Sequence, residues 1–98
     1  MKFSSGEIVT IILHSPREKL LGVLSEIGAA GITMRGIDLD YFDDWTRAMV
    51  AGEPRLSMVD YFFPMWRVER IIRDERNGEI PSMAEQFMAR TGRRLDEQ

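Results

Sequence analysis

Residues 7–13 read EIVTIIL, and this run limits most strongly what the chain can fold into. β-Branched, nearly continuous apolar residues over this length predict a buried strand. The following His14, Ser15 and Pro16 end the strand, because proline cannot donate a hydrogen bond to a sheet. The chain is therefore expected to be organised around a sheet.

Residues 19–35 can be read in two ways. Their sequence, KLLGVLSEIGAAGITMR, spaces apolar residues as on one face of a helix that Gly28 would end. The same residues can form two strands joined by a turn at 28–31, with Gly22 at a kink or a close backbone approach. A glycine inside a helix costs about 1 kcal/mol relative to alanine, but periodicity alone leaves both structures open.

The middle of the chain predicts a short inserted helix over residues 43–52. Asp43 and Asp44 suit a helix N-terminus, and Gly52 suits its end. The aromatic and β-branched stretch at 56–63 then predicts another strand.

The tail predicts a C-terminal helix over residues 82–92. Ser82 and Glu85 have the spacing of a capping box, and Gly92 stands where a helix would terminate. Residues 93–98 are expected to fray, as chain ends commonly do.

The first half of the chain resembles the first motif of Sm/Hfq-like proteins. In that motif a hydrophobic strand leads into a strand with a glycine and a leucine two residues apart, here Gly22 and Leu24. Residues 62–71, FFPMWRVERI, look like the strand, one-turn 3-10 connection and final strand of SH3-type small barrels.

The fold that this resemblance implies is mainly β. A small five-stranded SH3/Sm-like barrel would occupy residues 7–74, interrupted by the helical insertion at 43–52. The C-terminal helix would complete a single domain over residues 1–98, a length that supports one modest core.

An α+β alternative stays open. In a ferredoxin-like or ACT-like sandwich, residues 17–27 and 66–76 would form the two helices. Arg67, Arg70 and Arg73 are three residues apart, as on a helix, but residues 78–92 offer no candidate for the closing strand.

The resemblance does not extend to RNA-binding residues. Sm-like proteins carry an Asp and an Asn in the turn after the second strand, whereas residues 28–31 here contain only glycine and alanine. The chain also looks like small bacterial families of this size, a likeness that implies no biochemical role.

Several kinds of chemistry lack the residues they need. The chain has no cysteine, which excludes thiolate nucleophiles and thiolate metal sites, and its one histidine is His14. The acidic residues from Asp38 to Asp44 lack the alternation of an EF-hand, so helix capping and solvated charge explain them. We expect no enzyme activity, no metal site and no cofactor.

The apolar run at 8–13 is too short for a signal sequence or a spanning helix. We therefore expect a cytoplasmic protein without membrane association.

Aromatic residues are concentrated in one stretch of the chain. Seven of the nine lie between Tyr41 and Trp66, and a small barrel cannot bury them all together with seven methionines. Part of this set is expected at a partner surface, whose candidate residues are Tyr41, Phe42, Trp45, Phe62 and Trp66. We predict a non-enzymatic binding or assembly module that contacts another protein or forms a homo-oligomer.

Nucleic-acid binding is the first alternative. Arg35, Arg67 and Arg70 could contact phosphates while Trp66 stacks on an unpaired base of RNA or of another single strand. The formal net charge of −3 and the acidic residues among these arginines disfavour it. The second alternative is a small-molecule sensor with the ACT-like fold.

Overall fold

The computed structural model describes residues 2–53 and 55–98. Five strands form one antiparallel sheet in the spatial order β4-β3-β2-β1-β5. The strands are β1 Ile8–Leu13, β2 Glu18–Ile27, β3 Gly31–Asp38, β4 Val59–Pro64 and β5 Val68–Arg73. The helices are α1 Phe42–Val50 and α2 Met83–Thr91, accompanied by 3-10 turns at Leu39–Tyr41, Met65–Arg67 and Leu95–Glu97.

The prediction of a mainly β protein with an inserted and a C-terminal helix is confirmed. The α+β alternative is wrong, because residues 18–27 form a strand and residues 65–73 form a 3-10 turn followed by a strand. Over the described residues, β4 and β5 lie at opposite edges of the sheet and do not pair with each other, so the sheet is not closed.

Burial on both faces explains why β2 resembles a helix in sequence. Leu20 and Leu24 pack into one hydrophobic cluster, whereas Leu21 packs into a second cluster on the other face. Apolar residues therefore occur at both alternating positions of the strand. Gly22 lies opposite Gly36 in β3, and a Cβ atom at Gly22 would come within 2.6 Å of the Gly36 Cα. Of the two roles considered for this glycine, a kink or a close backbone approach, the structure shows the close approach.

The first cluster lies on one face of the sheet. It consists of residues from β1 to β4: Val9, Ile11, Leu13, Leu20, Leu24, Ile32, Met34 and Phe63.

The second cluster joins the opposite face to both helices. Trp45 of α1 stacks on Phe87 of α2 with ring centroids 4.7 Å apart, above Leu21 and Ile37 of the sheet. Leu95 is only 1% exposed and packs into the same cluster. The prediction that residues 93–98 fray is therefore wrong, because Leu95 anchors the last 3-10 turn.

The N-terminus of α2 is capped twice. The predicted capping box between Ser82 and Glu85 is confirmed, with both of its hydrogen bonds present. In addition, the two carboxylate oxygens of Asp74 accept hydrogen bonds from the N–H groups of Met83 and Ala84, at 2.8 and 2.9 Å. This second cap ties the helix to the residue that follows β5.

No helix within the described residues is long and apolar enough to cross a membrane.

Candidate protein-contact surface

The outer side of β4 presents main-chain groups that the sheet does not use. Met65 N–H donates to the Ala30 carbonyl at 3.0 Å, while Pro64 lies opposite Gly31. Hydrogen-bonded and non-hydrogen-bonded pairs alternate along an antiparallel ladder. Since Met65 and Ala30 are hydrogen-bonded, the pairs that contain Asp60 and Phe62 are the ones without hydrogen bonds to β3. Asp60 and Phe62 consequently direct their N–H and C=O groups away from β3. We call these groups, together with the Phe62 side chain, the β4 edge.

Phe62 is the exposed apolar residue of the β4 edge, with 60% of its surface accessible. Its ring lies over Gly31, where an added Cβ would come within 2.7 Å of the Phe62 Cζ atom. Glycine at this position therefore makes room for the ring. The result is an aromatic side chain that is held against the sheet but remains open to solvent.

Trp66 follows β4 on the 3-10 turn and is 65% exposed. Its ring meets the His14 ring edge-on, with centroids 6.4 Å apart and planes at 78°. His14 is exposed at the end of β1, and its Nδ1 lies 3.1 Å from the Ser15 Oγ. Two exposed rings thus mark this end of the sheet.

Arg67 holds the turn that carries Trp66. Its guanidinium donates to the carbonyls of His14 and Pro16 at 3.3 and 2.8 Å and pairs with Glu18 at 3.3 Å. Its own carbonyl accepts from the His14 N–H at 2.9 Å. Because Nε and Nη2 are bound within the fold and the side chain is only 19% exposed, Arg67 positions the turn and presents little of its guanidinium to a phosphate.

Tyr61 and Phe63 point to the face opposite Phe62, as alternation along a strand requires. Their rings stack with centroids 5.3 Å apart. Burial raises the pKa of the Tyr61 phenol, and the charges of Asp38 and Glu18 raise it further. Tyr61 is therefore a neutral member of the first cluster.

Two of the five predicted contact residues are not on the surface. Phe42 is 5% exposed and Trp45 is 2% exposed, because α1 turns both rings toward the second cluster. The prediction that they contact a partner is corrected accordingly. Tyr41, Phe62 and Trp66 are exposed.

The three arginines of the nucleic-acid alternative do not converge. Arg35 on β3 binds Asp60 at 3.2 Å, and Arg70 on β5 lies 3.4 Å from Glu69. Two strands separate β3 from β5, which corresponds to about 14 Å across the sheet. With Arg67 bound inside the fold, no shared basic surface results.

A groove runs beside α2 and was not foreseen from the sequence. Its volume is about 460 Å³, and it is lined mainly by Ile8, Ala84, Met88 and Leu95. Arg94 also lines the groove and pairs with Asp96 at 2.8 Å, and its hydrogen bond lowers the pKa of that carboxyl. The groove exists because the tail folds back, contrary to the fraying expected for it.

Within residues 2–53 and 55–98, no three His, Asp or Glu side chains are grouped so that they could hold a metal ion.

Comparisons of the chain with protein-family models, with curated proteins and with solved structures found no match.

Proposed function

We propose that this protein is a non-enzymatic assembly module that binds a protein chain by adding a strand at the β4 edge. The observation that carries the proposal is the combination of outward main-chain groups at Asp60 and Phe62 with the exposed ring of Phe62. An extended chain paired along such an edge gains main-chain hydrogen bonds, and side chains beside it supply specificity.

The two edges of the sheet differ in a way that favours β4. Three of the six residues of β5 are charged, Glu69, Arg70 and Arg73, and charged side chains discourage pairing at an edge. In β4 only Asp60 is charged, and Arg35 compensates it. The β4 edge is therefore the less protected of the two.

The proposed architecture is an open SH3/Sm-like barrel. Its support is the strand order and the single 3-10 turn, Met65–Arg67, between β4 and β5. Nucleic-acid binding receives less support, because its arginines are separated or bound. The small-molecule sensor depended on an ACT-like fold, and it has no support because the protein does not have that fold.

The proposal can be tested by selecting random ten-residue peptides on the immobilised protein at low concentration. We expect peptides whose affinity falls at least tenfold in Phe62→Lys, since tenfold corresponds to about 1.4 kcal/mol, well within the contribution of one buried aromatic anchor. The matched control is Ile80→Lys, whose side chain is 66% exposed and lies outside the strands. If Phe62→Lys binds the selected peptides as well as Ile80→Lys does, the β4 edge is not the contact surface.

A further inference from the structure

We propose that the chain added at the β4 edge is a second copy of this protein, paired β4 to β4 about a two-fold axis at Tyr61. The inference rests on the proposed function and adds to it the identity of the partner and the register of pairing. An antiparallel pair of identical strands is the symmetric way to join two such edges, and it closes at two copies.

The register follows from the outward groups of β4. With the axis at Tyr61, Asp60 of each copy faces Phe62 of the other, and both residues direct their main-chain groups outward. Each such pair exchanges two N–H to C=O bonds, so the contact contains four. Every outward donor and acceptor of Asp60 and Phe62 is then used.

Neighbouring registers are less favourable. An axis at Asp60 places two aspartates directly opposite each other, and like charges in that position are destabilising. An axis at Phe62 places Asp60 opposite Pro64, which has no N–H to donate to the Asp60 carbonyl. The axis at Tyr61 avoids both defects.

Charge also permits a second copy. Asp60 already pairs with Arg35 at 3.2 Å, so the Phe62 ring of the other copy would approach a compensated carboxylate. A contact limited to one strand from each copy is smaller than the roughly 1,200 Å² typical of stable interfaces. We therefore expect a reversible dimer that forms at micromolar concentrations or above.

Cysteine pairs test the register directly, because the chain contains no cysteine of its own. Asp60→Cys and Phe62→Cys are both exposed positions, and in this register they lie about 5.5 Å apart between copies, within disulfide range. Mixing the two variants under mild oxidation should give a mixed disulfide dimer. Each variant alone should give little disulfide dimer, because the same position in the two copies is a diagonal pair about 7–8 Å apart.

Ile80→Cys, exposed and outside the strands, sets the background of random disulfides. Tyr61→Cys is a second probe that keeps both edge side chains, and it should form a disulfide with itself across the axis. A mixed yield no higher than the Ile80→Cys background, or a higher yield from Phe62→Cys alone, overturns this register.

Light scattering across concentration separates the inference from the function on which it rests. A mass that rises to two chains and stops supports the two-fold pair, whereas growth beyond two chains means that β4 pairs with another surface. A monomer at every concentration that still binds selected peptides at the β4 edge overturns the second copy only. Loss of both behaviours overturns both.

Discussion

Gly22 and Gly36 show how two single residues permit the sheet to form as it does. They face each other in β2 and β3, and the Leu21 carbonyl lies within 2.5 Å of a Cβ built on Gly36. No side chain fits between these backbones. Gly22, which makes a helix less favourable in this segment, is thus required by the pairing of β2 with β3.

Gly22→Ala is expected to destabilise the protein by about 1–3 kcal/mol, as overpacking of a close contact does. Gly28→Ala is the matched control, because nothing lies within 4 Å of an added Cβ there. Urea unfolding of both variants measures the difference. Equal stability of the two would contradict the close approach of β2 and β3.

The aromatic residues illustrate why exposure could not be read from composition. Trp45 and Phe62 both belong to the aromatic-rich middle of the chain, yet Trp45 stacks on Phe87 and Phe62 faces solvent. We therefore expect replacement of Trp45 to affect folding and replacement of Phe62 to affect the proposed contact. The sequence offered Phe62 and Trp66 as contact candidates together with Phe42 and Trp45, and it carries no signal that separates the exposed rings from the buried ones.

At the scale of elements, the N-terminus of α2 is stabilised by one local and one long-range capping interaction. The capping box is readable from Ser82 and Glu85, three residues apart. The Asp74 cap was not readable, because Asp74 lies nine residues before Met83 and reaches the helix only through the intervening turn.

Asp74→Ala is expected to destabilise the protein by about 1–2 kcal/mol, since it leaves two helix N–H groups without their acceptor. Glu75→Ala, at an exposed neighbouring position, serves as the control. Hydrogen exchange should show faster opening of Met83 and Ala84 in Asp74→Ala alone. Unchanged exchange at these two amides would show that the capping box is sufficient.

At the scale of the whole molecule, an ion pair links the N-terminal segment to the far edge of the sheet. Arg73 of β5 donates to the Glu7 carboxylate and to the Lys2 carbonyl, and its guanidinium lies 4.8 Å from the centroid of the Phe3 ring. The hydrogen bond from Arg73 lowers the pKa of Glu7 below its ordinary 4.5.

This lowered pKa predicts the sign of a pH dependence. The folded protein keeps Glu7 charged to lower pH than the unfolded chain does. The contribution of the Glu7 carboxylate to the free energy of unfolding is therefore complete above pH 4.5 and is lost as the pH falls through the lowered pKa. Glu7→Gln should therefore be less stable than the wild type at pH 7, with the difference shrinking in acid. Urea unfolding between pH 7 and pH 2.5 measures it, and parallel curves at every pH would contradict the linkage.

The sequence by itself determined the features that depend on near neighbours. The buried strand β1, the inserted helix and the capping box of α2 follow from local propensity and spacing. Only the tertiary structure decided between helix and strand for residues 18–27, because packing on both faces makes a strand look helical in its apolar pattern. It also decided that Leu95 is buried and that Arg67 is bound within the fold, because their partners lie far away in the chain.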